Sequence, residues 1–89
     1  MNTSGSEPEP IIVDLSFGPG ALHVVFEDGR ELSVPVLWYP RLAAATAQQR
    51  SNWRLIGRGE GVHWPDIDED ISAAGLLRGR IGRRPTKAA

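Results

Sequence analysis

The 89-residue chain contains no cysteine, which excludes a disulfide framework and any metal site built on thiolates. It also has no apolar run of about 20 residues, the length that a membrane-spanning helix needs. The first residues are polar and acidic, without the apolar stretch of a signal peptide. We therefore expect a cytoplasmic protein with no membrane association, stabilised by one small hydrophobic core.

Apolar residues make up 40% of the sequence and include three tryptophans, which argues against a disordered chain. We predict a disordered polar lead-in over 1–10, a single domain over 11–78 and a flexible basic tail over 79–89. Trp53 and Trp64 are expected to anchor the core, because a domain of this size has few other large apolar side chains to bury. The alternative is that they mark a ligand cleft or an interface, where tryptophan is enriched.

The first two predicted strands form a hairpin with one buried face. Apolar residues alternate along 11–17 and again along 22–26, and the turn residues Gly18-Pro19-Gly20 lie between them. One register places all the alternating apolar residues on the same side of the sheet. It pairs Phe17 with Leu22, Leu15 with Val24, and Val13 with Phe26.

The loop before the third strand has two possible lengths. A two-residue turn at Asp28-Gly29 would put the apolar residues of the two strands on opposite faces. A three-residue loop over 27–29 instead pairs Val24 with Leu32 and places Gly29 in a left-handed, bulged position. We prefer the three-residue loop because it keeps one buried face.

The rest of the domain is predicted as a helix, two strands and a last helix. Pro40 can begin the first helix, which continues over 42–49, and the strands cover 53–56 and 62–64. The last helix is predicted over 71–77. The G-x-G-x-G motif between the strands lacks the spacing of a dinucleotide-binding loop, and we interpret it as a turn. The order predicts an α+β fold, a small antiparallel sheet built from hairpins with two short helices packed on one face.

The segment HWPDIDEDIS carries four carboxylates. Ile71 and Leu77 stand where an EF-hand calcium loop needs glycine and glutamate, so that site is excluded although a looser Mg²⁺ or Ca²⁺ site stays open. We expect aspartate and serine side chains to cap the last helix, with one or two of the four carboxylates in this role and the others facing solvent or a basic partner. Three of the four match the opening ligand positions of a calcium loop: Asp66, Asp68 and Asp70.

Catalytic signatures are weak. The two histidines are His23 and His63, and no motif of a serine or cysteine nucleophile accompanies them. His63 beside Asp66 could act as a general base in a deep cleft, but packing or solvent exposure is the expected role. We predict no catalytic residue, no cofactor and no metal ligand.

The last twelve residues carry half of the ten lysines and arginines, on a segment without aromatic residues. A flexible basic segment can neutralise phosphates and bind nucleic acid in a salt-sensitive, sequence-independent way. The alternative is a solvated, charged terminus. The basic residues are Arg78, Arg80, Arg83, Arg84 and Lys87.

Four motifs occur in order along the chain. They are F-x-D-G from Phe26, Y-P-R-L from Tyr39, G-x-G-x-G-x-H-W-P-D-I-D-E-D-I from Gly57, and the pair Leu76-Leu77. Over about 11–77 the sequence resembles the small bacterial proteins of the domain of unknown function 2442 family. The resemblance implies a compact α+β domain. It also implies a gene pair similar to toxin–antitoxin pairs, because members are often encoded beside a second small protein.

Some relatives in that family continue into a helix-turn-helix domain and look like transcription regulators. Here a basic tail stands where that domain would begin, and we expect no autonomous operator recognition by this chain.

We predict a non-catalytic protein-interaction module, antitoxin- or inhibitor-like, that docks a small basic partner protein through an acidic patch. The alternative is an accessory nucleic-acid-binding or transcription-regulatory protein that acts through its tail. A homodimer formed at an exposed sheet edge is also possible. The residues of the predicted patch are Trp64, Asp66, Asp68, Glu69 and Asp70. The residues of the alternative site are Arg80, Arg83, Arg84 and Lys87.

Overall fold

A computed structural model describes residues 9–79. The predicted lead-in and basic tail lie almost wholly outside the described residues. None of the helices in this range is long and apolar enough to cross a membrane. The elements are β1 (Ile12–Gly18), β2 (Ala21–Phe26), β3 (Glu31–Pro35), a 3₁₀ turn (Val36–Trp38), α1 (Pro40–Ala43), α2 (Ala47–Ser51), β4 (Arg54–Ile56), β5 (Gly61–Trp64), β6 (Glu69–Ser72) and α3 (Ala73–Arg78).

The strands within residues 9–79 form two antiparallel sheets of three strands each, ordered β1-β2-β3 and β4-β5-β6. The predicted α+β class and the construction from hairpins are confirmed. The expected single sheet is divided in two, because the helical segment between β3 and β4 separates one set of hairpins from the other. This part of the chain has three α-helices where two were expected.

The predicted register of the first sheet is confirmed over most of its length. Leu15 pairs with Val24, which in turn pairs with Leu32 on the third strand. The loop has three residues, since the Phe26 amide donates to the Arg30 carbonyl across it at 2.8 Å. Gly29 has φ +96°, the left-handed conformation that the bulged loop requires.

The pairing of Val13 with Phe26 is wrong. The register shifts between Ile12 and Asp14, so Ile12 pairs with Phe26 and Val13 is left 49% exposed. This β-bulge puts Ile12 into the core with no exposed surface and lets its amide donate to the Gly59 carbonyl at 2.8 Å. Contacts from a distant turn decide the register here.

The helix predicted over 42–49 is two separate turns, α1 and α2. Thr46 interrupts it, because its hydroxyl accepts from the Gln49 amide at 3.0 Å and the Gln49 side chain accepts from the Thr46 amide at 2.9 Å. This reciprocal pair is a capping box and begins a new helix at Ala47. Pro40 lies in the first turn of α1, as predicted.

The last predicted helix begins two residues later than expected. Glu69–Ser72 forms β6, paired with β5, and α3 follows it. Ile71 lies opposite Val62 and is 5% exposed, so burying it outweighs the poor strand propensity of the neighbouring acidic residues. Ser72 caps α3 by accepting from the Gly75 amide at 2.9 Å, and no acidic residue lies in the first turn. The expectation that carboxylates cap this helix is wrong.

The core is a single cluster shared by both sheets and by helices α1 and α3. The largest side chains that are buried almost completely are Trp64, Tyr39, Phe26, Ile12, Leu22, Leu42 and Leu76. Burial of this kind supplies roughly 1.5–3 kcal/mol for each large apolar side chain.

Candidate functional site

The four carboxylates of HWPDIDEDIS lie on what we call the acidic turn, residues 65–70, which joins β5 to β6. Its last two residues already pair with β5: Glu69 lies opposite Trp64, and Asp70 lies opposite His63. Because side chains alternate along a strand, Glu69 and Asp70 point to opposite faces of the second sheet. The acidic turn therefore divides its charges between the core side and the solvent side.

Glu69 lies on the core side, and its side chain is only 15% exposed. The Arg41 guanidinium lies 4.0 Å from its carboxylate and also donates to the Asp68 carbonyl. The carboxylate also acts on Tyr39, whose pKa is raised by burial and, second, by the negative charge of Glu69. The contacts of Arg41 with Glu69 and with the Asp68 carbonyl thus anchor the acidic turn to α1.

Asp70 lies on the solvent side of the sheet, with 66% of its side chain exposed. It contacts Nδ1 of His63, its cross-strand neighbour. Arg54 pairs with His63 on the other side, so the three residues form a row across the outer face. The sequence suggested Asp66 as the carboxylate beside His63, and the structure places Asp70 there.

Asp66 and Asp68 occupy the tip of the acidic turn, and both are exposed. Asp66 accepts from the side-chain amide of Asn52 at 3.0 Å, which is a neutral partner. Asp68 has φ +54°, a left-handed conformation that aspartate tolerates better than most residues. Among residues 9–79, no arginine or lysine forms an ion pair with the carboxylate of Asp66, Asp68 or Asp70.

Trp64 is not part of this surface, since its side chain has no exposed area. Its indole N–H donates to the Arg50 carbonyl at 3.0 Å, and Phe17 meets its ring edge-on with the ring centres 6.3 Å apart. Trp53 is half-buried and packs against the same cluster. Trp64 therefore has the structural role that the sequence favoured, and its position does not support an interface role, whereas Trp53 packs against the edge of the core.

Two residues that shape the acidic turn have no signal in the sequence. Arg41 contacts Asp68 across 27 positions, and Asn52 contacts Asp66 across 14 positions. From a single sequence, such long-range contacts can be predicted only when both residues belong to a recognised motif. Arg41 does lie in the Y-P-R-L motif, but nothing in that motif points to the acidic turn.

The other candidate residues are placed as follows. Within residues 9–79, no three histidine, aspartate or glutamate side chains are grouped closely enough to hold a metal ion. His23 lies on β2 and contacts Ser33 at 2.8 Å and Glu31 at 3.1 Å, far along the chain from the acidic turn. The tail residues Arg80, Arg83, Arg84 and Lys87 lie outside the described residues.

Two small hairpin sheets around one core, with an acidic turn at the edge of the second sheet, define a compact α+β domain. The family model described as protein of unknown function, DUF2442, matches residues 12–82. The chain belongs to this family. No functionally curated protein matches the sequence.

Two solved structures share the fold. A protein of unknown function from Rhodospirillum rubrum is 26% identical with a TM-score of 0.74, over 86% of this chain and 95% of that one. The uncharacterized protein CV0863 from Chromobacterium violaceum, solved by NMR, is 25% identical with a TM-score of 0.70. That match covers 82% of this chain and 69% of the other. These similarities establish the fold and bring no activity with them.

Proposed function

We propose that the protein is a non-catalytic interaction module of the cytoplasm, antitoxin- or inhibitor-like, that docks a small basic partner protein on its acidic turn. The observation that carries the proposal is a set of three exposed carboxylates, none of which forms an ion pair with an arginine or lysine in the described part of the chain; Asp70 contacts only the imidazole of His63. A surface of this kind attracts a partner of opposite charge and speeds its association. The three residues are Asp66, Asp68 and Asp70.

The fourth carboxylate has a different role in this proposal. Glu69 is mostly buried and fastened to Arg41, so it holds the acidic turn in place instead of meeting a partner. Reversing its charge would put a second cation beside Arg41 and near the buried Tyr39. Such a change is expected to unfold the acidic turn whether or not a partner binds there, and Glu69 should be left intact in a binding experiment.

The test compares capture of proteins from a lysate of the native cells by the tagged protein and by a neutralised variant. The variant is Asp66→Asn/Asp68→Asn/Asp70→Asn, which keeps the side-chain shapes and keeps a residue that tolerates the left-handed conformation at position 68. We expect the wild-type protein to retain one stoichiometric basic protein at low salt. The neutralised variant should lose it while keeping the wild-type circular dichroism spectrum.

A matched control removes three negative charges from a different part of the surface. Glu27→Gln/Asp28→Asn/Glu31→Gln neutralises three exposed carboxylates of the β2–β3 hairpin and should retain the partner. Retention by the neutralised variant, or equal loss by the control, would contradict docking on the acidic turn. Failure of the wild-type protein to retain any protein would contradict the proposal as a whole.

The competing function is nucleic-acid binding through the basic tail. The sequence favours it because five of the ten lysines and arginines follow Leu77. In that case truncation after Gly79 should abolish DNA or RNA binding, and the affinity of the full chain should fall steeply with added salt. Nucleic acid that co-purifies through the tail, without a protein partner, would favour this function over docking on the acidic turn.

A further inference from the structure

A groove of about 360 Å³ lies between the end of β1 and helix α2, next to Asn52, the residue that contacts Asp66 of the acidic turn. Its walls come from two parts of the chain: the end of β1, and the segment formed by α2 and Trp53 just after it. The volume falls in the lower part of the range, about 300–1,000 Å³, typical of small-molecule sites. The residues that line it include Ser16, Phe17, Ala47, Arg50 and Trp53.

Arg50 gives the groove a fixed positive charge. Its Nε donates to the Leu42 carbonyl at 2.9 Å and its Nη2 to the Ala43 carbonyl at 3.2 Å, and its guanidinium stands 5.3 Å from the centre of the Phe17 ring. These contacts hold the guanidinium in one position. Two of its five N–H donors are occupied, and within residues 9–79 it forms no ion pair with a carboxylate.

The rest of the groove is suited to an apolar group. Phe17 and Trp53 are both half-buried and line it, so each presents part of an aromatic side chain. Ser16, an exposed residue, lies at the rim of the groove. One fixed cation beside aromatic surface is the arrangement that recognises a molecule with a carboxylate at one end and an apolar body at the other.

We propose that this groove binds a small organic acid with an aromatic body. The carboxylate accepts from the unoccupied N–H groups of Arg50, and the aromatic ring packs on Phe17 and Trp53. The hydrogen bonds from Arg50 to Leu42 and Ala43 are already formed in the ligand-free protein, so binding does not have to order the guanidinium. This proposal does not rest on docking at the acidic turn, although Asn52, between Ser51 and Trp53 of the groove, contacts Asp66.

The test is a titration of the full-length, ¹⁵N-labelled protein with 3-phenylpropionate, followed by amide NMR. Shifts should concentrate at 15–18 and 47–53. The neutral analogue 3-phenylpropanamide should bind at least about tenfold more weakly, the usual effect of losing hydrogen bonds to a charged group. Equal binding of the acid and the amide, or shifts scattered over the surface, would overturn the proposal.

Two variants and a control separate the groove from general electrostatic attraction. Ala47→Phe fills the groove from its exposed wall without removing the charge of Arg50, and it should abolish the shifts. Arg50→Gln should weaken binding of the acid to the level of the amide, whereas Arg58→Gln removes an equal charge on a distant turn and should bind normally. Unchanged binding by Ala47→Phe would overturn the proposal even if Arg50→Gln failed to fold.

Discussion

At the scale of single residues, Tyr39 and Glu69 show how the acidic turn is joined to the core. Tyr39 is 2% exposed, and Glu69 is the carboxylate that acts on its pKa. Burial penalises the phenolate because a charge is poorly solvated inside the protein, and a nearby negative charge adds to the penalty. The ionisation of one tyrosine therefore reports on the packing of the acidic turn against α1.

Tyr39 is the only tyrosine in the chain, so its ionisation can be followed by phenolate absorbance near 295 nm. We expect the pKa of Tyr39 in the folded protein to lie above its ordinary value of 10.0. Glu69→Gln should lower it only partly, because burial is the larger cause. Since the folded protein keeps this proton to higher pH than the unfolded chain, the stability that it contributes is present below pH 10 and lost as the pH rises through the folded pKa. A native midpoint equal to that in urea would contradict the described packing.

At the scale of elements, β6 and α3 show how tertiary contacts override local preference. The residues 69–72 are half acidic and poor strand formers, yet they pair with β5 because Ile71 completes the core opposite Val62. The helix then begins with its own cap, Ser72. Consequently the carboxylates of the acidic turn are not needed to begin α3, and they can be changed without loss of the helix.

Ser72→Ala tests this assignment of the cap. It should lower the free energy of unfolding by about 1 kcal/mol, the usual effect of losing a serine cap, as measured by urea denaturation. Asp70→Asn is the matched control and should change stability by less than about 0.5 kcal/mol, since its contact with His63 is exposed. A larger effect from Asp70→Asn than from Ser72→Ala would show that the acidic turn does cap the helix.

At the scale of the whole molecule, the turn between β4 and β5 connects the two sheets. The Gly59 carbonyl accepts from Ile12 of β1, and the Glu60 carbonyl accepts from Ala73 of α3, both at 2.8 Å. Gly59 has φ +118°, and a Cβ at this position would lie 2.4 Å from the Ile12 carbonyl oxygen. The second glycine of the G-x-G-x-G motif is thus required by a close approach of two backbones.

Gly59→Ala should therefore lower the free energy of unfolding by more than the strain of placing alanine at a positive φ would cause by itself. We expect a loss of more than about 2 kcal/mol in urea denaturation, from backbone strain together with the collision with β1. Gly20→Ala is the control: Gly20 also has positive φ, but a Cβ there would meet no atom within 4 Å, and the cost should be about 1 kcal/mol. Equal losses would mean that the contact between the turn and β1 is not tight.

Features of the fold that depend on a local sequence pattern were predicted correctly. Features that depend on contacts between residues distant in the sequence were not. Alternation of apolar residues gave the strands of the first sheet, and loop chemistry gave the position of Gly29. The bulge at Val13 depends on Gly59, and the division into two sheets depends on how the hairpins share a core. The break at Thr46 had a local signal, the capping-box pair Thr46 and Gln49, which the alanine-rich composition obscured.

The same contrast applies to the acidic turn and to the groove. The acidic residues were identifiable from their clustering, whereas their separation into a mostly buried Glu69 and three exposed aspartates required the strand register. Arg50 and Phe17 gave no signal as a pair, because they lie on different elements and meet only in the folded protein. A single sequence shows which charged residues are close together along the chain. It does not show which side chains from different elements meet in the folded protein.

The measurement that most directly tests docking on the acidic turn is the association rate of the captured partner protein as a function of NaCl concentration. If the three aspartates steer the partner, the wild-type rate should fall by about tenfold or more between low and high salt. The rate for Asp66→Asn/Asp68→Asn/Asp70→Asn should start lower and change little. Identical salt dependence in the two proteins would contradict the account, because the attraction would then come from charges elsewhere in the chain.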